Sequence, residues 1–425
     1  MWPAAGRFQA GALRHGAEAA AAAAATLQAP QSRAAASSAA LTTNSGRGDR
    51  PAPRSGGIAT SGEIGRCSGG WRATASAASA KSPLNGRLPR NMRRVTSTDL
   101  DAWAEGPAVL GHAHSRPTFE PYGLSPLRQL GGGAEVPAGW SARLLSAAGM
   151  KGGESPNQDA VSYTVLDSGW IVCVACDGHG EQGEIVAERV ARMIPLFLSQ
   201  HLPDLGLKEA LPQAFSQAQS DLERCFSSAQ TYSGATVVVC CIHSVNGEAW
   251  VAYAGDSRVV VGDLDSGEAL FITGEHKAHD PEESQRLAEA GAQVITKRYE
   301  DGELVSRIFI PKTGVPGLAM SRSLGDGCLK KYGVIAVPDV HDVTDVWERS
   351  MAPFMVLASD GLWDTLTAEE TVNELTVRRA RGLDVQTGAE ALLRRSQRLW
   401  IEAEGDYCDD ISILLVAPSA SLQLQ

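Results

Sequence analysis

Between Trp140 and Pro418, short apolar runs rich in β-branched residues alternate with stretches in which apolar residues recur every three or four positions. The runs 170 to 176, 236 to 242, 249 to 254, 258 to 261, 354 to 358 and 411 to 416 have strand length, which predicts buried β-strands. Ile185, Val186, Val190, Met193 and Phe197 mark one helical stripe, and Leu211, Phe215, Ala218 and Leu222 mark a second. Two successive helices, then strands that include a tight pair around Gly255-Asp256-Ser257, predict α+β layering rather than strict βαβ alternation. A single domain is expected over residues 140–418.

Residues 1–97 are mostly Ala, Ser, Gly, Pro and Arg, with too few branched aliphatics to offset the entropy of ordering. A disordered N-terminal extension is expected there. Its Arg-rich, acid-poor composition suits an organelle transit peptide and suits a low-complexity tail equally. Residues 98–139, rich in Pro and Gly, read as a linker or extended arm, and 419–425 as a C-terminal tail. The net charge is −11, with 13 basic and 3 acidic residues up to position 98, so the remainder carries −21. That balance excludes a globally basic nucleic-acid binder. No stretch reaches the roughly 18 apolar residues of a transmembrane helix. A soluble, monomeric protein of cytoplasm or nucleus is expected, or of an organelle if the leader is a transit peptide. Cys173 and Cys176 spell C-x-x-C within a strand-like run, where positions three apart face opposite sides, so both read as buried structural thiols.

Several aspartates sit at strand ends. Asp177, Asp256 and Asp360 follow apolar runs, whereas Asp159 and Asp409 precede them. Two like charges about 4 Å apart repel by about 4 kcal/mol at an effective dielectric near 20, so converging carboxylates require cations or protons. No Cys or His set has metal-ligand spacing, and all-oxygen donors favour Mg²⁺ or Mn²⁺ over Zn²⁺.

The segments Met150-Lys-Gly-Gly-Glu-Ser-Pro-Asn-Gln-Asp159, Asp177-Gly-His-Gly180, Ser233-Gly-Ala-Thr236, Ala254-Gly-Asp-Ser-Arg258, Leu318-Ala-Met-Ser-Arg-Ser-Leu-Gly-Asp326, Ser359-Asp-Gly-Leu-Trp-Asp364 and Asp409-Asp-Ile-Ser412 occur in this order. Together they resemble the protein phosphatase 2C family over about Ala142 to Val416. The resemblance implies a four-layer sandwich, two antiparallel β-sheets flanked by α-helices, with a two-metal centre at one end. It implies phosphoprotein substrates and hydrolysis of phosphoserine and phosphothreonine by a hydroxide bridging two Mg²⁺ or Mn²⁺ ions. Asp177 would bridge the ions, the Gly178 carbonyl would bind one, Asp360 and Asp409 would hold the other, and Asp159 would act in the outer shell. Asp256 and Asp364 match positions that in some members help to bind a third ion. His179, two residues from Asp177, is placed to act as general acid.

Two departures stand out. The family's phosphate-gripping Arg is replaced by Glu154, leaving Lys151 as a substitute point charge for the substrate phosphate. Gln158 stands where an acid is common. A catalytically weak or inactive docking module is therefore the alternative reading. Gly178-His-Gly-Glu-Gln-Gly183 also satisfies the dinucleotide-binding G-x-G-x-x-G pattern, but Asp177 would oppose a pyrophosphate and a second helix, not a parallel strand, follows. Arg258 and Arg322 read as structural ion-pair partners, Trp363 as a packing anchor, and Leu329-Lys-Lys-Tyr332 as a solvated basic face. Ser306 to Val337 reads as a Gly- and Pro-rich loop over the cleft.

Overall fold

The computed structural model describes residues 109–113, 127–128, 136–151, 155–226, 228–299, 302, 304–385 and 387–422. The expectations for the leader 1–97 and for Glu154 lie outside the described residues. Strands β1 (Val109–Ala113) and β2 (Leu127–Arg128) come from the segment expected as linker or arm. They are followed by β3 (Trp140–Ala147), β4 (Asp159–Val165) and β5 (Trp170–His179), then helices α1 (Gly183–His201), α2 (Leu207–Cys225) and the single turn α3 (Ala229–Tyr232). Next come β6 (Gly234–Ala235), β7 (Val237–His243), β8 (Ala249–Ala254), β9 (Arg258–Asp263) and β10 (Ala269–Ile272). A smaller group holds α4 (Pro281–Glu289), β11 (Gln293–Arg298), β12 (Leu304–Phe309), β13 (Pro316–Leu318), β14 (Leu324–Gly325) and α5 (Gly327–Lys330). The chain closes with β15 (Asp339–Asp342), α6 (Thr344–Arg349), β16 (Pro353–Ala358), α7 (Asp360–Trp363), α8 (Ala368–Ala380), α9 (Gly388–Glu404) and β17 (Ile411–Pro418).

Because successive strand side chains point to opposite faces, a run that is apolar throughout must be covered on both sides. In β5, Val172, Val174 and Cys176 face α1 and α2, while Ile171, Cys173 and Ala175 face the second sheet. The two thiols thus lie on opposite faces, both buried and unpaired. In β16 and β17, Val356, Ile413 and Leu415 face α8 and α9, whereas Met355, Leu357, Leu414 and Val416 face inward. The result is the expected four-layer sandwich, helices on sheet on sheet on helices. One sheet has the order β15-β8-β7-β5-β4-β1-β2, with β6 and β14 attached, and the other runs β10-β9-β16-β17-β3. All ladders within them are antiparallel.

The helices form for local reasons and stay for packing reasons. Thr367 caps α8, its Oγ1 accepting from the Glu370 N–H at 3.1 Å while the Glu370 carboxylate accepts from the Thr367 N–H at 3.0 Å. Val186, Val190, Met193 and Phe197 of α1 are fully buried against α2 and the sheet, each contributing about 1.5–3 kcal/mol of burial. Ile185 instead lies 39% exposed, because it is one position off that stripe.

Three expectations change. Strands β8 and β9 do not pair around Gly255-Asp256-Ser257; they belong to different sheets. Gly255 redirects the chain at φ 117°, and a Cβ there would lie 2.7 Å from the Thr236 side chain, so only glycine makes this crossing. Residues 306–337 are not a plain loop. They supply β13 and most of β12, in a three-stranded sheet with β11, and pack Ile308, Leu318, Leu329 and Val334 against Leu287 of α4. The expected tail is tied back at its start, where the Ser419 N–H donates to the Gly139 carbonyl at 2.7 Å.

Candidate metal and phosphate site

Antiparallel register brings the acidic strand ends to one end of the sandwich. On the β4–β5 ladder Asp159 is directly opposite Asp177. On the β16–β17 ladder Ala358 is opposite Ile413, so Asp360 beyond the end of β16 and Asp409 before the start of β17 emerge together. Asp256 follows β8 and Asp364 follows α7.

Burial and mutual repulsion set the protonation of this group. Burial first, then the Asp360, Asp159 and Asp409 charges, push the Asp177 carboxyl well above the usual range. Burial first, then Asp409, Asp364 and Asp256, do the same to Asp360. Asp159 is pushed up to about 8 by burial and the Asp410 charge, although the Ser359 hydroxyl donates to its Oδ2 at 2.7 Å. Asp364 rises to about 7 through burial, with Lys277 opposing the rise. Asp256 behaves differently: burial would raise it, but the Lys277 ammonium, 2.6 Å from Oδ2, holds it below the ordinary range.

The donor chemistry fits hard cations. Asp159 Oδ1 and Asp256 Oδ1 are buried with no hydrogen-bond partner, an arrangement that disfavours the charged form unless a cation is near. Among the described residues, no three His, Cys, Asp or Glu side chains already form a closed ligand set. At two points the protein's own cations already contact these carboxylates. Lys151 Nζ lies 2.5 Å from Asp409 Oδ1 and 2.9 Å from Asp410 Oδ2, and Lys277 sits on Asp256. The protein's own ammonium groups neutralise part of the cluster. Lys151 is thus engaged with carboxylates and would have to swing away to reach a phosphate.

His179 ends β5 with Nε2 2.7 Å from Asp326 Oδ2. Burial acts to lower its pKa, but the Asp326 charge and hydrogen bond outweigh that and raise it. Gln158 holds the β5–α1 turn in place, because its Nε2 donates to the Gly180 carbonyl at 2.7 Å, which a carboxylate cannot do, and its N–H donates to Asp410 Oδ2 at 2.9 Å. Gly178 packs where a Cβ would lie 2.4 Å from the Gly183 carbonyl, so its glycine serves the same turn. That turn lacks a parallel βαβ unit, since β5 runs antiparallel to both β4 and β7, which removes the basis for the dinucleotide reading.

Arg258 pairs with Glu275 at 2.8 Å from Nε, and Arg322 with Glu283 and Asp339, both at 2.7 Å, as ion-pair partners. Trp363 is buried and donates to the Ala358 carbonyl at 2.9 Å. Lys330 departs from a solvated face: its ammonium donates to the Ser323 carbonyl at 2.6 Å, and burial pulls its pKa down to about 8. Sequence patterns alone assign no role to Asp326, Asp410 or Lys277. Their one signal is a place inside or beside the quoted motifs.

Fold and site together define a two-sheet sandwich with a buried acidic cluster at one end. The sequence profile of protein phosphatase 2C matches residues 155–398. The chain is 30% identical to probable protein phosphatase 2C 64 of Oryza sativa subsp. japonica over 281 residues, covering 63% of this chain and 64% of that protein. It is 32% identical to probable protein phosphatase 2C 72 of Arabidopsis thaliana over 300 residues, covering 64% of this chain and 84% of that protein. Its fold is similar to a serine-threonine phosphatase 2C from Toxoplasma gondii, with TM-score 0.53, 20% identity and coverage of 72% of this chain and 98% of that one. A C. elegans sex determining protein matches with TM-score 0.54 and 20% identity, over 68% of this chain and 69% of that one. The chain belongs to the protein phosphatase 2C family. Among the described residues no helix is long and apolar enough to cross a membrane.

Proposed function

We propose that this protein hydrolyses phosphoserine and phosphothreonine in protein substrates with the help of two Mg²⁺ or Mn²⁺ ions. The observation that carries this reading is the gathering of Asp159, Asp177, Asp360 and Asp409 at one end of the sandwich, three of them with carboxyls pushed up by burial and by one another. Bound divalent cations would supply charge neutralisation and an activated water for in-line attack on phosphorus.

The chain's own groups do the rest. Asp177, the Gly178 carbonyl, Asp360 and Asp409 would hold the cations, with Asp159, which accepts from the Ser359 hydroxyl, supporting them. Asp256 and Asp364 would help to hold a third cation if Lys277 gave up its contact with Asp256. His179 donates a proton to the departing seryl or threonyl oxygen, which as an alkoxide leaves poorly. Lys151, released from Asp409 and Asp410, offers a single positive charge to the phosphate.

A phosphatase-like docking module is the second reading, favoured by one observation: Lys151 and Lys277 already neutralise part of the carboxylate cluster. Phosphate release from a phosphoserine peptide, measured with and without Mn²⁺, decides. Metal-dependent release that vanishes in Asp177→Ala supports the enzyme; a wild type that binds Mn²⁺ and releases nothing supports the module.

A further inference from the structure

The contact between His179 and Asp326 is held from several sides. Asp326 adopts left-handed backbone angles, φ 47° and ψ 43°, which a non-glycine residue rarely does without a reason in its surroundings. Its N–H donates to the Ser233 carbonyl at 2.9 Å, and its Oδ2 accepts from Ser323 Oγ at 2.5 Å as well as meeting His179 Nε2 at 2.7 Å. Lys330 ties down the same turn by donating to the Ser323 carbonyl at 2.6 Å. Gly234 pairs with His179 on the β5–β6 ladder, and a Cβ on it would lie 2.3 Å from Asp326 Oδ2 and 2.7 Å from His179 Nε2. Only a glycine leaves room for the imidazole and the carboxylate to meet. The other ring nitrogen, His179 Nδ1, is buried and has no hydrogen-bond partner.

We propose that Asp326 is the positioning residue for His179: by holding Nε2 it fixes the orientation and tautomer of the ring that acts as proton donor. The inference rests on the phosphatase reading above. In the step, the bond from water oxygen to phosphorus forms as the phosphorus–oxygen bond to the seryl or threonyl residue breaks. The departing oxygen keeps the bonding pair and takes a proton from the His179 imidazolium. The imidazole is left neutral, still hydrogen-bonded through Nε2 to Asp326, and is reprotonated from solvent, which also takes up the proton lost by the attacking water. Asp326 keeps its negative charge throughout and touches no reacting atom, as befits a group that orients a base or acid rather than exchanging protons itself.

The test compares two substrates on the Mn²⁺-loaded protein. A phosphoserine peptide needs its leaving oxygen protonated; p-nitrophenyl phosphate does not. Asp326→Asn is expected to lower kcat on the peptide by about 10²-fold, within the usual range for loss of general acid catalysis. It should leave KM within about twofold, reduce turnover of p-nitrophenyl phosphate only a few-fold, and leave the Mn²⁺ binding isotherm in place. The double variant His179→Ala with Asp326→Asn should be no slower on the peptide than His179→Ala alone. Equal losses on both substrates, or additive losses in the double variant, would overturn the proposal. Ser323→Ala, which loosens Asp326 without removing it, should show the same substrate selectivity at smaller amplitude, and covers the case in which Asp326→Asn does not fold. Nitrogen NMR of the His179 ring in the metal-free protein separates the two readings. A wild type that hydrolyses neither substrate defeats the phosphatase assignment, whereas a ring whose tautomer is indifferent to Asp326→Asn defeats the positioning role.

Discussion

Asp159 and Asp177 stand directly opposite each other on the β4–β5 ladder, so two carboxylates share one register step at the buried end of a sheet. Like charges in that relationship destabilise a ladder, and here burial adds to the penalty. Both groups titrate higher in the folded chain than the unfolded value near 4, Asp159 at about 8. The folded state therefore binds more protons over that interval. Their contribution to stability is fully present below about pH 4 and is lost as pH rises toward 8. The melting temperature of EDTA-treated protein should fall between pH 5 and pH 8, and saturating Mn²⁺ should restore it, most strongly at pH 8. Asp159→Asn should flatten the metal-free slope. A metal-free melting temperature that climbs with pH over this range would contradict the account.

Lys151 answers for the same charge in a different way. Its ammonium bridges Asp409 and Asp410, a pair that also anchors the chain, since Asp410 Oδ1 accepts from the Gly149 N–H at 2.6 Å. Lys151→Met should destabilise the metal-free protein by about 2 kcal/mol, below the 3–5 typical of a fully buried pair because the lysine keeps some solvent contact. With Mn²⁺ bound, the stability deficit should shrink, because divalent charge replaces the ammonium. The KM for a phosphopeptide should then rise more than kcat falls. Calorimetry with EDTA or Mn²⁺, followed by steady-state kinetics, checks both halves.

The apolar runs reveal β5, β7, β16 and β17 because those strands are buried on both faces and leave an unbroken signature. β11, Gln-Val-Ile-Thr-Lys-Arg, escapes notice because nearly all of its side chains face solvent, with Ile295 52% exposed. β15 is likewise short and partly exposed. Asp159, Asp177, Asp256, Asp360 and Asp409 are legible because each lies at or within two residues of a strand end; Asp364 follows a helical turn instead. Asp326 and Asp410 are not, because their importance arises from contacts with His179 and Gln158 made 147 and 252 residues away in sequence. Nor can spacing tell that Asp410 accepts from the Gly149 and Gln158 N–H groups and that its charge acts on Asp159 beside Asp409. The segment 306–337 reads as loop because its Gly and Pro content masks a small core completed by α4.

Away from the cluster, Arg189 of α1 and Asp221 of α2 form a buried ion pair, with Nη2 2.7 Å and Nε 3.2 Å from Oδ2 and the guanidinium 5.1 Å from the centre of the Phe226 ring. Removing the carboxylate takes from the buried guanidinium its paired charge. Asp221→Ala should lose about 3–5 kcal/mol in urea denaturation. Replacing both, as Arg189→Met with Asp221→Leu, should recover much of that loss. If the double variant is as unstable as Asp221→Ala, the loss of charge compensation at Arg189 is not the cause.

Gly234→Ala tests how tightly the end of the sandwich is packed around His179. The added methyl would start 2.3 Å from Asp326 Oδ2 and 2.7 Å from His179 Nε2, well inside van der Waals contact, so the carboxylate or the imidazole must move. Neither moves freely: Asp326 is held by Ser233 and Ser323, and Gly234 is paired on both sides, with His179 of β5 and Gly325 of β14. Overpacking of this kind typically destabilises by about 1–3 kcal/mol. If His179 acts as proposed, function should suffer more than stability, because a displaced ring would no longer be oriented as proton donor. We expect kcat on a phosphoserine peptide to fall by about 10- to 100-fold while the Mn²⁺ isotherm keeps its wild-type form. Gly206→Ala is the matched control, since a Cβ there meets nothing closer than 3.7 Å and should leave kcat as it is. A Gly234→Ala protein with wild-type kcat and an unshifted melting curve would show that the ring and carboxylate have room the packing denies them.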